Sequence, residues 1–477
     1  MEESMNRTEP AGLCGTPDKT LTQGGASVLD RTFTLGACLA WLGVLLVLLA
    51  LEGHYFRAGN EALVLCLVGM LLFHCSGTAW KTYVVGAFLV WGVMEWGSSV
   101  HALAAMRLHM GAPWLRGAAI LSAVALLTAI AAAHVTAKAG RQRRSVPDEP
   151  VLTQTAAFVL TFVVLYALRG GRPDILLLER LFPAWGSIQI FLLSWYAAFV
   201  AGKLASRHTS RKARKTAWLL FTGIFFGQLA LGLAGMPGMR SLESMHIPAP
   251  GLIIFSPVYR GTLGFMPFLV LAATLLAGGA WCSMLCYFGS VEAACSGNST
   301  GKLGKKPPRV LEHALRYGRA AVLAGGVALA GVLHIFDAPA SVAAGLGIGF
   351  ALAGLCLILF VSRRYGGMVH CTMFCPMGLV VNLLTRLSPW RMRVDTARCG
   401  NCAACEKICA YRAIDTATRQ KGGTGFRCSL CRDCMTVCPH AAIGMKHLFL
   451  PQKSAEHVYI VTISVLHALF IALARPL

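Results

Sequence analysis

Residues 399–410 read CGNCAACEKICA and residues 428–439 read CSLCRDCMTVCP. Each run has the spacing C-x2-C-x2-C-x3-C, which wraps three thiolates around one iron–sulfur cubane and sends the fourth to the neighbouring one. On that crossed rule one [4Fe–4S] cluster takes Cys399, Cys402, Cys405 and Cys438, and the other takes Cys428, Cys431, Cys434 and Cys409. Soft thiolates suit iron–sulfide chemistry. Pro439 follows the last cysteine as the bacterial pattern expects, whereas Ala410 stands where the first run would carry proline. A pair of zinc knuckles shares the CxxC element, but two complete four-cysteine runs in tandem favour the cluster reading.

Working outward, the rest of the chain reads as membrane. Hydrophobic residues make up 56% and charged residues 13% of the 477, and a bilayer-spanning helix needs about 20 mostly apolar residues. Apolar stretches at 33–51, 61–75, 82–105, 114–136, 153–168, 186–205, 217–235, 262–285, 319–336 and 343–361, with a weaker one at 457–474, predict ten or eleven spans. The expected fold is therefore an all-α polytopic membrane protein carrying a small α+β ferredoxin domain with two [4Fe–4S] clusters. Its segments are a tail at 1–32, a four-helix block at 33–136, three further helices at 137–235, and a core at 236–389 holding two CxxxC motifs. The ferredoxin domain at 390–450 and a last transmembrane or interfacial helix at 451–477 complete it.

A net charge of +22 raises nucleic acid as a partner, but the position of the charge argues against it. The basic residues cluster at 138–144, 207–215 and 302–309 and at Arg363 and Arg364, after the fourth, sixth, eighth and tenth spans. All four places lie on one side, and the positive-inside rule makes that side cytoplasmic. The reading is a multi-pass protein of the bacterial inner membrane with its N-terminus and ferredoxin domain in the cytoplasm. The polar first 32 residues lack a basic stretch leading into an apolar one, so no cleavable signal is expected. Eighteen cysteines on this topology mean clusters and reduced thiols rather than a disulfide scaffold.

Within the spans, ionisable residues are few. Glu95 is a carboxylate inside a span, a functional hypothesis by default: a proton relay or quinone ligand, against a plain interhelical hydrogen bond. His74 and His134 fall at helix ends on one face; a bis-histidine haem b there is the less favoured reading, since helix-end histidines are more often interfacial. The loop at 236–261 reads as a flap over a quinone pocket with His246 or Glu243 taking the proton, or as a surface loop without a site. A second cysteine constellation is CSMLCYFG at 282–289 and CTMFCPMG at 371–378. Two spans separate the copies, so Cys282, Cys286, Cys371 and Cys375 lie at the same membrane face. Cysteines four apart on a helix share one side, so two thiol pairs can meet as a third metal centre or as redox dithiols, or else pack the helix ends as small apolar groups.

In this order, a span, CxxxCxxG, two spans, CxxxCPxG and a double ferredoxin, the chain resembles the membrane polyferredoxin family typified by NapH of periplasmic nitrate reduction, whose module also closes NosR of nitrous oxide respiration. The resemblance covers about residues 250–450. Tyr287 replaces the proline of the first motif, and the seven preceding spans have no counterpart in the small members. The resemblance implies electron transfer between cytoplasmic-side clusters and the quinone pool or a partner respiratory redox protein, as a component of a membrane oxidoreductase surrounded by lipid. A copper reductase using the CxxxC thiols and a non-catalytic docking subunit of a respiratory complex are the alternatives.

Overall fold

The computed structural model of the chain describes residues 35–57, 61–75, 78–145, 150–171, 176–182, 185–235, 249–296 and 309–473. Its first half is helical: α1 Leu35–Arg57, α2 Glu61–Cys75, α3 Ala79–His109, α4 Leu115–Ser145, α5 Val151–Gly171, the single turn α6 Leu177–Leu181, α7 Gly186–Ala205 and α8 Arg207–Leu233. The second half begins with α9 Leu252–Arg260, α10 Phe265–Ala277, a π-helical turn Trp281–Leu285 and α11 Tyr287–Cys295. Then come α12 Arg309–Ile335, α13 Ala340–Cys356, a π-turn Leu357–Ser362, α14 Arg363–Tyr365, a third π-turn His370–Phe374 and α15 Pro376–Thr385. The cysteine-rich module follows as β1 Trp390–Val394, α16 Ala404–Ile408, α17 Thr416–Gln420, α18 Asp433–Thr436 and β2 Ile443–His447, before α19 Gln452–Ala472.

Among the described residues, α3, α4, α5, α7, α8, α12, α13 and α19 hold stretches long and apolar enough to cross a bilayer. Every expected span coincides with a helix, but two of the eleven are shorter. α2 has 15 residues and α10 has 13, or about 20–23 Å at 1.5 Å per residue against a hydrocarbon core of about 30 Å, whereas α1 has 23. The chain is thus a mostly helical protein whose apolar helices fit multi-pass insertion.

The shortness of α10 has a local cause. Gly278 ends it at φ +60, and a Cβ on the next residue, Gly279, would stand 2.8 Å from the Cys428 carbonyl oxygen. The chain turns there because the cysteine-rich module presses against its backbone. The expected span 262–285 is therefore α10 plus a break and a π-turn.

The module is pinned to the bundle by strand and helix contacts. β1 and β2 pair antiparallel, with Trp390 opposite His447, Met392 opposite Met445 and Val394 opposite Ile443. Trp390, Met392 and Val394 alternate inward, as strand geometry requires. Trp390 donates its indole N–H to the Leu276 carbonyl at the end of α10 and meets the Tyr459 ring at 5.1 Å. Tyr459, on the first turns of α19, donates to the Leu430 carbonyl. The last helix is consequently part of the bundle, packed on α5, α7 and α8, and its N-terminal end supports the module. The stretch at 410–427 is more than a loop: Asp415 caps α17 by accepting from the Thr418 N–H at 2.7 Å, while Thr418 reaches back to the Asp415 N–H.

Candidate metal centres and thiol sites

The two cysteine runs fold alike. In the first, Asn401 and Ala403 have φ of 51° and 54°; in the second, Leu430 and Arg432, at the same offsets, have φ of 53° and 67°. Three residues after each fourth cysteine, Arg412 and Ala441 repeat the pattern at 49° and 47°. Left-handed backbone at a non-glycine residue costs about 1–3 kcal/mol and persists where the surroundings over-determine it. Each fourth sulfur also accepts a backbone N–H four residues on: Ala413 N to Cys409 Sγ at 3.2 Å and Ala442 N to Cys438 Sγ at 3.3 Å.

The fourth cysteines cross over. Cys399, Cys402, Cys405 and Cys438 line one cleft, with Arg419 and His440 at its wall. Cys434 stands in electrostatic range of Cys431, Cys428 and Cys409, so the second set gathers the remaining four. Burial pushes the Cys409 thiol up to about 11, with Cys428 adding to the rise. It pushes Cys431 up to about 12, with Asp433 and Cys409 acting in the same direction. Thiols that oppose one another's ionisation this way need cations among them before they can all become thiolates.

The inner cysteines also come together, by a route different from the expected one. Neither pair lies on one face of a continuous α-helix. Cys282 sits in the first π-turn and Cys286 caps α11, while Cys371 sits in the third π-turn and Cys375 caps α15. The Cys371 thiol is in electrostatic range of Cys375, Cys286 and Cys282. Backbone N–H groups of Phe288 and Gly289 are bonded to Cys286, and those of Met377 and Gly378 to Cys375, as at any helix N-terminus that receives an anion.

Tyr287 in place of proline leaves this geometry intact. Cys286 has φ −88 and ψ 115, and Cys375 has φ −70 and ψ 113. A following proline imposes such an extended ψ on Cys375. Trp218 substitutes for it on the other side by donating its indole N–H to the Cys286 carbonyl at 2.8 Å. The motif glycines are equally constrained, for a Cβ on Gly289 or Gly378 would stand 2.8 Å from the carbonyl oxygen of Cys282 or Cys371. Neither oxygen is on a flexible side chain. Gly289→Ala and Gly378→Ala are each expected to cost about 1–3 kcal/mol by overpacking, read as a lowered thermal midpoint, whereas Gly325→Ala, in open space on α12, does not lower it, alanine being the better helix former.

The second outer set docks directly on the inner thiols. Tyr411 donates to the Cys282 carbonyl at 2.9 Å and lies in electrostatic range of Cys371, Cys282 and Cys431. Ser283 donates to the Ser429 carbonyl at 3.0 Å, and Met368 N–H to the Ala410 carbonyl at 3.0 Å. Arg214 of α8 clamps the joint: it donates to both Asp433 oxygens, at 3.2 and 2.7 Å, and to the Ser283 carbonyl at 3.0 Å. Arg319 of α12 brings a second buried cation beside Cys282, Cys375 and Cys371.

Sequence reasoning missed Arg214, Arg319, Trp218, Tyr411, Glu292 and His370. Glu292 and His370 carried a signal: one is the single carboxylate in the apolar stretch after Cys286, the other directly precedes Cys371. Glu95 goes elsewhere. It is half-buried on α3, with His54 Nε2 3.9 Å away, and α3 packs on α4 and α5. His74 is buried and stacks on Trp41 at 5.6 Å, while His134 is exposed on α4. His246 and Glu243 lie outside the described residues, as does the tail at 1–32.

No family model matches the chain. No solved structure matches it. Among curated proteins it is similar to an uncharacterised protein of Methanocaldococcus jannaschii, 29% identical over 97 residues, or 20% of this chain. The matched segment spans 38% of that protein's length.

Proposed function

We propose that the chain is a membrane-bound electron-transfer protein in which residues 390–450 hold two [4Fe–4S] clusters on the cytoplasmic side, linked to the quinone pool or to a partner respiratory oxidoreductase. The observation that carries this reading is the duplicated pair of four-cysteine loops whose fourth sulfurs exchange places. Cys399, Cys402, Cys405 and Cys438 share one cleft, and the left-handed residues recur at matching offsets in both runs. Such strain is repaid when four sulfurs converge on a common centre. Clusters bound there supply one-electron chemistry at potentials set by their surroundings, roughly −700 to +450 mV.

The chain's own residues do the rest. The part-buried N–H to sulfur bonds from Ala413 and Ala442 and the Arg419 guanidinium beside Cys405 stabilise negative charge on the thiolates and favour the reduced state. Tyr411 and the Ser283–Ser429 contact hold the second set against the inner thiols, so that Cys282, Cys286, Cys371 and Cys375 are next in line as a third redox group. The resemblance to the polyferredoxins, and the positive charge on one set of loops, support the same direction of assembly.

The test is iron and acid-labile sulfide per chain on anaerobically purified protein, with EPR of the reduced sample. About eight irons and about eight sulfides are expected, with signals of two interacting centres. Zinc in place of iron at the eight outer cysteines sinks the proposal.

A further inference from the structure

Beside the inner thiols lie Glu292 and His370, two side chains that the electron path above does not use. Glu292 of α11 is wholly buried, 0% exposed, and His370 is 3% exposed. One donor atom each from Glu292, His370 and Cys371 lie within 4.8 Å of one another. Among the described residues, the carboxylate's ion-pair partner is His370 alone, with Nδ1 3.9 Å from Oε2. That is too long for a hydrogen bond, and His370 Nδ1 has no hydrogen-bond partner. It is close to the separation of two donors on one tetrahedral cation, about 3.3 Å for bonds of about 2.0 Å.

The carboxylate is held for this purpose. Its Oε1 accepts from Ser362 Oγ and from the His370 N–H, both at 2.6 Å, and Oε2 accepts from the Cys371 N–H at 3.0 Å. Those are neutral donors, and the Cys371 thiol is a further one to the same carboxylate, a place that a cation displacing the thiol proton takes over. The ring of His370 is fixed between Phe288 and Phe374, with centroids 5.7 and 5.6 Å away. A buried carboxylate without a cation is costly.

We propose that Glu292, His370 and Cys371 form a mononuclear site for a divalent cation of the zinc class. A doubly charged ion with one carboxylate, one thiolate and one neutral imidazole is electrically neutral, which suits a buried position. Mixed oxygen, nitrogen and sulfur donors are zinc ligands; calcium and magnesium ask for oxygen alone, and an iron–sulfur cluster for several thiolates. Binding replaces the thiol proton of Cys371, which leaves to solvent or buffer, with no change of oxidation state. At Cys371 this replaces the redox role given above with a redox-inactive metal, and it is independent of the two outer clusters.

The test is elemental analysis of full-length protein purified anaerobically from zinc-supplemented cells, with iron measured in the same samples to report the outer clusters separately. The expected result is about one zinc per chain in the wild type and in Cys282→Ala and Cys286→Ala, falling at least tenfold in His370→Ala and Glu292→Gln, with iron unchanged. Because Glu292 also holds backbone N–H groups, zinc-edge X-ray absorption on the unmodified protein gives a second readout. One sulfur at about 2.3 Å with nitrogen or oxygen at about 2.0–2.2 Å is expected. Absence of zinc from the wild type overturns the proposal. So does an all-sulfur shell, or zinc that survives His370→Ala and is lost in Cys282→Ala, either of which assigns the metal to the four thiols.

Discussion

Arg214→Met is expected to lower stability by about 3–5 kcal/mol and to release the second four-cysteine set from the bundle. The Arg214 guanidinium and the Asp433 carboxylate are buried together, with bonds of 2.7 and 3.2 Å. Taking two charges out of water is costly, and removing one partner leaves the other uncompensated, which accounts for the size of the effect. Asp433 is the residue before Cys434, so the strain falls directly on a sulfur ligand. Arg211 stands 3.8 Å from the same carboxylate at a half-buried position and offsets only part of the loss. Arg214→Lys cannot restore the two-oxygen contact and the bond to the Ser283 carbonyl with one ammonium. Replacing both partners, Arg214→Met with Asp433→Leu, is expected to recover much of the stability, since a buried pair exchanged for apolar groups of similar size is often neutral. The thermal midpoint of the purified protein, followed with iron content, checks this. A single variant with unchanged midpoint would show that the clamp carries no load.

The second large effect concerns which cysteines belong together. If the fourth sulfurs cross, Cys399→Ala with Cys438→Ala damages a single cluster, and about four irons per chain remain. Cys428→Ala with Cys438→Ala then damages both, and iron falls towards zero. Uncrossed ligation predicts the reverse for the two doubles, because Cys428 and Cys438 would share one centre. The cleft lined by Cys399, Cys402, Cys405 and Cys438 and the gathering of Cys434 with Cys431, Cys428 and Cys409 give the crossed outcome. Iron analysis of the two double variants, prepared side by side, decides it without reference to any partner protein or assay of turnover.

The sequence by itself determined the helical membrane frame, because apolar runs of bilayer length depend on composition alone. The stretches at 61–75 and 186–205 match α2 and α7 to the residue. It also determined the pairing of motifs: spacing within 399–409 and 428–438 is a local property, and the recurrence of C-x3-C-x2-G at 282–289 and 371–378 needs no folding to be seen. What only the tertiary structure decided are the groups brought together from far along the chain. Trp218 does for Cys286 what a proline does for Cys375, across 68 residues. Arg214 meets Asp433 across 219 residues, and Glu292 reaches the backbone of His370 and Cys371 across 78 and 79. Spacing alone does not mark which of these residues meet: Arg214 is one of five basic residues at 207–215, and its role, like those of Trp218 and Glu292, comes from burial. A buried polar group must find a partner, and which partner it finds is fixed by how the helices pack. The turn at Gly278 and Gly279, which ends α10 before a π-turn, combines both: the glycine pair is a local stop signal, and the close approach of the Cys428 backbone, seen only in the fold, excludes a side chain at Gly279.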